Sequence, residues 1–267
     1  MQTFPSRQVP VALTVAGSDS GGVAGMQADL LTFAANGVYG IAAMTCVTAQ
    51  NPEGVVQVEV LEPEFVIKQA ETVNRYFAAR AAKTGLLCTQ EIVEHVSEFF
   101  SRNANIRLVV DPVMVSSSGA RLLSEETIDA YREHLLPIAA IITPNLDEAE
   151  ILIGRPLRSP DEMDQAAQEM ATEWNANIYL KGGHLEGDIL YDVASTREGE
   201  SRSFFQKRIR SIDTHGSGCT LSSCVAANLA MGMDAIAAIE AARIYLRRGM
   251  ERPVFHSGNR FINHFPA

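Results

Sequence analysis

VALTVAGSDSGGVAGMQADLLTF, residues 11–33, is the stretch from which the fold becomes readable. Val11, Leu13 and Val15 recur at every second position, a strand signal. Gly17 to Gly25 interrupts that pattern with a glycine-rich turn. Met26, Leu30 and Phe33 then recur at helical spacing. A strand, a glycine loop and a helix in succession form the opening of an α/β unit. Asp29 falls on the same side of the helix as those apolar residues, and an inward carboxylate needs a partner. Loop amides and a ligand NH or OH are both candidates.

The alternation continues outward from this unit. Strand-type runs fall at Ile41 to Val47, Leu108 to Val110, Ile138 to Ile142 and Ile178 to Leu180. Helical stretches are Met26 to Asn36, Pro63 to Phe77, Gln90 to Arg102, Glu125 to Leu136 and Pro160 to Trp174. This order predicts an α/β fold with a mainly parallel sheet covered on both faces. Val56, Val58 and Val60 alternate with period two. So do Ile189 to Val193 and Ser203 to Ile209, which read as a β-hairpin at a sheet edge, joined through Arg197-Glu198-Gly199-Glu200. The last third returns to helix at Leu221 to Met231 and Ala235 to Arg248, with a break at Gly232. Without repeats, low-complexity tracts or a long linker, residues 1–267 are expected to form one domain.

The composition narrows the function classes. The chain has 267 residues, 46% hydrophobic and 20% charged, enough for a large soluble core. Its formal net charge of −10 argues against a nucleic-acid partner, and the cluster Lys207, Arg208, Arg210 is too short to change that. No apolar run approaches the roughly 18 residues of a membrane span. The opening MQTFPSRQVP carries no apolar secretion segment, so the cytoplasm is expected. The four cysteines, Cys46, Cys88, Cys219 and Cys224, make no CxxC pair and no metal spacing with the six histidines. Reduced thiols fit that pattern.

Ligands of open α/β sheets bind beyond the carboxyl ends of the strands. Asp213-Thr214-His215-Gly216-Ser217-Gly218-Cys219-Thr220 lies at such an end, with an apolar helix after it. Amides of a loop like this converge on one point, and the helix start adds positive potential. Fixed dipoles of that kind stabilise a phosphoryl group in transfer; the bland alternative is a glycine turn that opens a helix. GxxxxGK[ST] occurs nowhere, so the loop is not a P-loop. Cys219 falls in the first helical turn, where thiols ionise more easily. It reads either as a base toward a hydroxyl or as a small buried side chain. Gly17 to Gly22 is not GxGxxG. Asn145-Leu146-Asp147-Glu148 opens a helix after Pro144, either holding Mg²⁺ through water or capping the helix with acids. Lys181, before two glycines, either reaches a nucleotide phosphate or is a solvated strand end.

Six segments in order resemble the ribokinase superfamily, and within it the hydroxymethylpyrimidine/phosphomethylpyrimidine kinases of thiamine biosynthesis. They are AGSDSGGVAGMQADL (16–30), VTAQN (47–51), DPVM (111–114), TPNLDEAE (143–150), KGGH (181–184) and THGSGCTLS (214–222). The resemblance implies a three-layer αβα sandwich with a small β lid, ATP as co-substrate, Mg²⁺ and a homodimer. By position it assigns Asp29 and Gln50 to the aminopyrimidine and its hydroxymethyl group. Gly17, Thr48 and Val113 would line that pocket and Leu86 would cover it. Cys219 looks like the catalytic residue, with Gly216 and Gly218 forming the anion hole. Asp111, Asn145, Lys181, Thr214 and Ser217 look like the ATP side, and Asp111 and Glu148 the Mg²⁺ side. One departure stands out: many relatives carry AKSG after DPVM, where this chain has Ser116-Ser117-Ser118-Gly119, without the lysine.

The activity so implied is transfer of the ATP γ-phosphate to 4-amino-5-hydroxymethyl-2-methylpyrimidine and then to its monophosphate. A pyridoxal kinase is the nearest rival, since Gln50 and Asp29 suit an aminopyrimidine edge without excluding a pyridine. A silent metabolite-sensing module is the rival from another class.

Overall fold

The computed structural model describes residues 8–115, 121–183 and 187–266. Its strands in chain order are β1 (Val11–Ser18), β2 (Tyr39–Asn51), β3 (Gly54–Val60), β4 (Ala81–Thr84), β5 (Arg107–Val110), β6 (Ile141–Ile142), β7 (Asn177–Leu180), β8 (Ile189–Ser195) and β9 (Ser201–Lys207). Among the described residues these nine form one sheet ordered β3-β2-β1-β4-β5-β6-β7-β8-β9. Its six central strands, β2 to β7 in that order, are parallel, and an antiparallel strand or hairpin closes each edge. A separate two-stranded ribbon joins β10 (Val254–His256) to β11 (Asn259–Phe261).

Helices cover both faces. One buried cluster joins Leu13, Val15, Val110 and Ile178 to α2 (Pro63–Phe77), α3 (Gln90–Arg102), α4 (Glu125–Ala130), α5 (Leu146–Ile153) and α6 (Pro160–Trp174). The other joins Ala12, Val109, Ile141 and Tyr179 to α1 (Gly25–Ala35), α7 (Ser217–Ala230) and α8 (Ala235–Glu251). Alternate residues of the same strands feed opposite clusters, as the two-residue strand period requires. This is the predicted αβα sandwich. α7 runs through its interior, buried from Thr220 to Ala230. The small side chains of Ser222, Ser223, Ala226 and Ala227 let it approach β4 and β5 closely.

Three local expectations change. β4 is a central strand that hydrophobic pattern does not announce, since Ala81-Ala82-Lys83-Thr84 carries one β-branched residue and a lysine. Glu125 to Leu136 is not one helix: α4 ends at Ala130, a π turn spans Tyr131–Leu135 and a 3₁₀ turn spans Leu136–Ile138 around Pro137. Pro137 cannot donate within a helix, and the following strand shrinks to Ile141–Ile142. The Val56-Val58-Val60 alternation does mark a strand, β3, but both of its faces are exposed.

Candidate active site

The site lies beyond the carboxyl ends of β1, β2, β5, β6 and β7, and is built by two glycine loops that touch. After β1 the buried carboxylate of Asp19 gathers the first loop. It accepts from the amides of Gly21 at 2.8 Å, Val23 at 3.0 Å and Ala24 at 2.8 Å. Ser20 Oγ ties this loop to the end of β2, donating to the Gln50 carbonyl at 2.9 Å and accepting from its amide at 2.8 Å. The second loop ends at Gly216, the N-cap of α7, with φ of 80°. A Cβ there would lie 2.0 Å from the Val23 carbonyl oxygen, so only glycine lets the loops meet.

At Gly218, one residue into α7, Lys181 and Asp111 converge on the helix start. Lys181 Nζ lies 3.4 Å and Asp111 Oδ2 3.7 Å from where a Cβ would stand. Lys181 donates to Asp111 Oδ1 at 3.2 Å, and Ser222, one turn along α7, donates to Asp111 Oδ2 at 3.0 Å. Burial opposes the Asp111 charge, but Lys181, Lys83 and the Ser222 hydroxyl outweigh it and hold the carboxyl below its ordinary value. Lys181 is likewise opposed by burial, yet Asp111 and Glu148 raise it, so it stays an ammonium.

Asn145 and Glu148 at the start of α5 form a capping box: Glu148 N donates to Asn145 Oδ1 at 2.9 Å, and Asn145 N to Glu148 Oε2 at 2.8 Å. The cap is thus realised, and it fixes Glu148 near Lys181. Burial, with Asp111 adding and Lys181 opposing, pushes the Glu148 carboxyl up to about 8. Among the described residues no cluster of three or more His, Cys, Asp or Glu is placed to hold a metal by itself.

Facing this group, Thr48 Oγ1 donates to the Ser18 carbonyl at 2.9 Å, and Gln50 Nε2 meets His215 Nε2 at 3.2 Å. The Gln50 end of β2 therefore reaches the loop that opens α7. The Leu86 carbonyl accepts from Thr45 Oγ1 at 2.7 Å, which sets Leu86 against the same strand.

A family model described as phosphomethylpyrimidine kinase matches residues 19–262. The chain belongs to the phosphomethylpyrimidine kinase family. A hydroxymethylpyrimidine/phosphomethylpyrimidine kinase of Synechococcus elongatus is 40% identical over 259 residues, 96% of this chain and 98% of the relative. Among solved structures, a phosphomethylpyrimidine kinase of Clostridium difficile is 38% identical with a TM-score of 0.79, over 90% of this chain and 98% of that one. A Bacillus subtilis pyridoxal kinase, solved as an ADP complex, is 32% identical with a TM-score of 0.88, over 97% and 98% of the two chains. The protein is thus an enzyme of the kinase class, with the ribokinase-like architecture that the motifs imply.

Within this kinase fold the structure brings Asp111, Lys181, Ser217, Gly218 and Cys219 together, with Asn145 and Glu148 beside them, and sets Gln50 against His215, between Thr214 and Gly216. Two readings change. Asp29 is fully buried and turned to neighbouring side chains. Its oxygens are taken by Lys83 Nζ, 3.1 Å from each, by Thr14 Oγ1 at 2.6 Å and by Ser223 Oγ at 2.6 Å. A carboxylate so saturated has no edge left for a substrate amine. Cys219 does not ionise readily at the helix start. Burial, with Asp29 and Asp111 adding, outweighs Lys83 and the Gly25 amide and pushes the thiol up to about 11. The Ser116 to Gly119 departure lies outside the described residues, as does His184.

Residue-type reasoning missed Lys83, Ser222, Ser223 and the Asp19 staple. One signal for Lys83 was present: an inward carboxylate at Asp29 demands a cation or donors, and Lys83 is the lysine of a short apolar run that ends at a Thr-Gly pair.

Proposed function

We propose that the protein transfers the γ-phosphate of ATP to the hydroxymethyl oxygen of 4-amino-5-hydroxymethyl-2-methylpyrimidine, and then phosphorylates the monophosphate, in cytoplasmic thiamine biosynthesis. The observation that carries this is the meeting point at Gly218. The Lys181 ammonium and the first amides of α7 stand there, one residue from the Cys219 thiol and across from Gln50.

Each part has a task that its surroundings allow. Lys181 and the amides of residues 217–219 neutralise the oxygens of the phosphoryl group in transfer. Gln50, with Thr48 and Gly17, orients the pyrimidine; its amide offers a donor and an acceptor to the ring edge. Leu86 and Val113 exclude water beside the ring. The hydroxyl oxygen attacks phosphorus, the bond to the bridging oxygen of ADP breaks, and the Cys219 thiolate, the minor form of a thiol pushed up to about 11, takes the hydroxyl proton. Mg²⁺, when bound, neutralises charge on the β and γ oxygens. Asp111 and Glu148 would hold it, and a bound cation would offset the burial and the neighbouring Asp111 charge that raise the Glu148 carboxyl. Asn145 and Thr214 keep the ATP side in register.

The homodimer reading is supported by β3, an edge strand whose Val55, Val56 and Val58 are 54%, 86% and 44% exposed. An uncovered apolar edge of this length invites pairing with a second copy.

The likeness to the pyridoxal kinase of Bacillus subtilis supports a second reading, with a pyridine in the same pocket. A coupled ADP-release assay against hydroxymethylpyrimidine, its monophosphate and pyridoxal decides. The pyrimidine should give the highest kcat/KM, and Gln50→Ala should lose most of it, since unpaired buried polar groups cost about 1–3 kcal/mol. Pyridoxal as the far better substrate would replace the proposal with the second reading.

A further inference from the structure

After α8 come the β10–β11 ribbon and then Ile262-Asn263-His264-Phe265. This segment packs back on α8. The Asn263 amide donates to the Gly249 carbonyl at 3.1 Å, and the Tyr245 hydroxyl donates to the His264 carbonyl at 2.6 Å. A Cβ at Gly249 would stand 2.6 Å from the Asn263 carbonyl oxygen, so the helix carries glycine where the segment crosses it. Ile262 and His264 are both buried.

From α8 the segment reaches the glycine loop of the candidate active site at both of its ends. At the start of the loop, the Asp213 amide donates to the Arg260 carbonyl at 2.9 Å, and the Asp213 carboxylate accepts from the His215 amide at 2.9 Å. At its end, His264 Nε2 lies 3.1 Å from Thr220 Oγ1, which lies 2.9 Å from the Gly216 carbonyl oxygen. A threonine hydroxyl has a single proton to give. Both contacts are hydrogen bonds only if that proton goes to Gly216 and the imidazole donates to Thr220. The relay is therefore His264 Nε2–H to Thr220 Oγ1, and Thr220 Oγ1–H to the Gly216 carbonyl. The Thr220 amide donates to the same carbonyl at 2.9 Å.

The Gly216 carbonyl and the Ser217 amide belong to one planar unit, so fixing one fixes the other. The Ser217 amide donates to the Thr214 carbonyl at 3.0 Å, and this peptide is held on both sides. Gly218 and Cys219 follow in the first turn of α7, where amides have no acceptor within the helix. Their direction follows from that plane. Threonine in a helix divides between two χ1 rotamers, one of which bonds the carbonyl a turn back. A donor held against Oγ1 selects that rotamer; an apolar side chain of the same size would fill the space without selecting it.

We infer that His264 is a positioning residue for phosphoryl transfer, its ring committing the Thr220 hydroxyl to Gly216 and so aiming the first amides of α7. The inference rests on the proposal that those amides hold the phosphoryl group.

The test compares His264→Ala, His264→Gln, Thr220→Val and the double variant His264→Ala with Thr220→Val. Gln keeps an N–H close to the place of Nε2, and Val keeps the branched shape of Thr without its hydroxyl. Coupled ADP release gives kcat and both KM values, and amide hydrogen exchange of the peptide 213–222, without substrate, reads the loop itself. His264→Ala should lower kcat about tenfold, the effect of one hydrogen bond near the top of its usual range. The KM values for ATP and pyrimidine should stay within twofold, and exchange in the peptide should quicken. His264→Gln should recover most of kcat and slow the exchange again. Thr220→Val should match His264→Ala, and it makes the same measurement from the helix side should the alanine variant fold poorly. The double should lose no more than either single, because the two residues act through one relay. A loss that Gln does not rescue, or losses that add in the double, would overturn the inference and leave His264 a packing residue. Wild-type kcat with unchanged exchange would overturn the grip on the loop. Wild-type kcat with quickened exchange would overturn it by the other route, by removing the phosphoryl group from the start of α7.

Discussion

Cys219 stands where burial and charge oppose each other, and its substitution separates chemistry from binding. Cys219→Ala should lower kcat by about 10²–10⁴-fold, the range of a general base, while the KM for ATP holds, because the amides of α7 remain. Steady-state kinetics with both substrates measure it. Gly218→Ala tests the proposed anion hole, because its methyl would stand 3.4 Å from Lys181 Nζ. A loss on the order of 10²-fold in kcat is expected with little change in melting. Glu148 gives a pH signature. Its carboxyl is raised to about 8 in the folded protein, against an ordinary value near 4.5. Between those values the folded state keeps a proton that the unfolded chain has released, so stability falls as pH rises through that window. Thermal melts of Glu148→Gln from pH 5 to 8 should show a flatter decline than wild type; parallel curves would mean that the carboxyl is already ionised at neutral pH.

At the scale of elements, most of the sheet was legible because its strands carry Val and Ile and its loops carry glycine. The β8–β9 hairpin and the breaks around Gly216 and Gly232 were equally plain. β4 was not, for a reason of packing: a strand pressed between β1 and β5 and under α7 takes alanines, and alanine carries no strand signal. The same economy hid part of the site. Lys83 sits on that strand; its partner Asp29 lies 54 residues before it on one helix, and Ser223, which also donates to Asp29, lies 140 after it on another. Spacing along one element cannot reveal a pair assembled from three. The motif residues Gly216, Gly218, Lys181 and Asn145 were readable because each sits at a strand end or helix start, where local chemistry already points outward. Gly216→Ala tests the junction of α1 and α7. The left-handed backbone alone costs about 1–3 kcal/mol in a residue with a Cβ, and contact with Val23 adds to it. A clear fall in melting temperature is expected, and an unchanged one would show that the loops can separate freely.

For the molecule as a whole, the exposed β3 edge frames the last expectation. Placing lysine at both Val56 and Val58 should leave the fold intact and shift the protein to monomer, as read by light scattering after gel filtration. A wild type that is monomeric at all concentrations would refute the pairing.

β2 has a further consequence. It is a single 13-residue strand with its central residues in the sheet, its far end carrying Thr48 and Gln50, and β3 zipped along that same end with a register shift at Ala49/Gln50. Whatever steadies the outer edge therefore also steadies Thr48 and Gln50, the residues proposed to hold the ring. The proposed pairing and the binding of the ring would share one ribbon and so be linked, in both directions. Dilution should then act as an inhibitor: as the protein concentration falls through the point where pairs separate, the pyrimidine KM should rise while the ATP KM stays level. Conversely, saturating pyrimidine should lower the concentration at which pairs form, by the same factor.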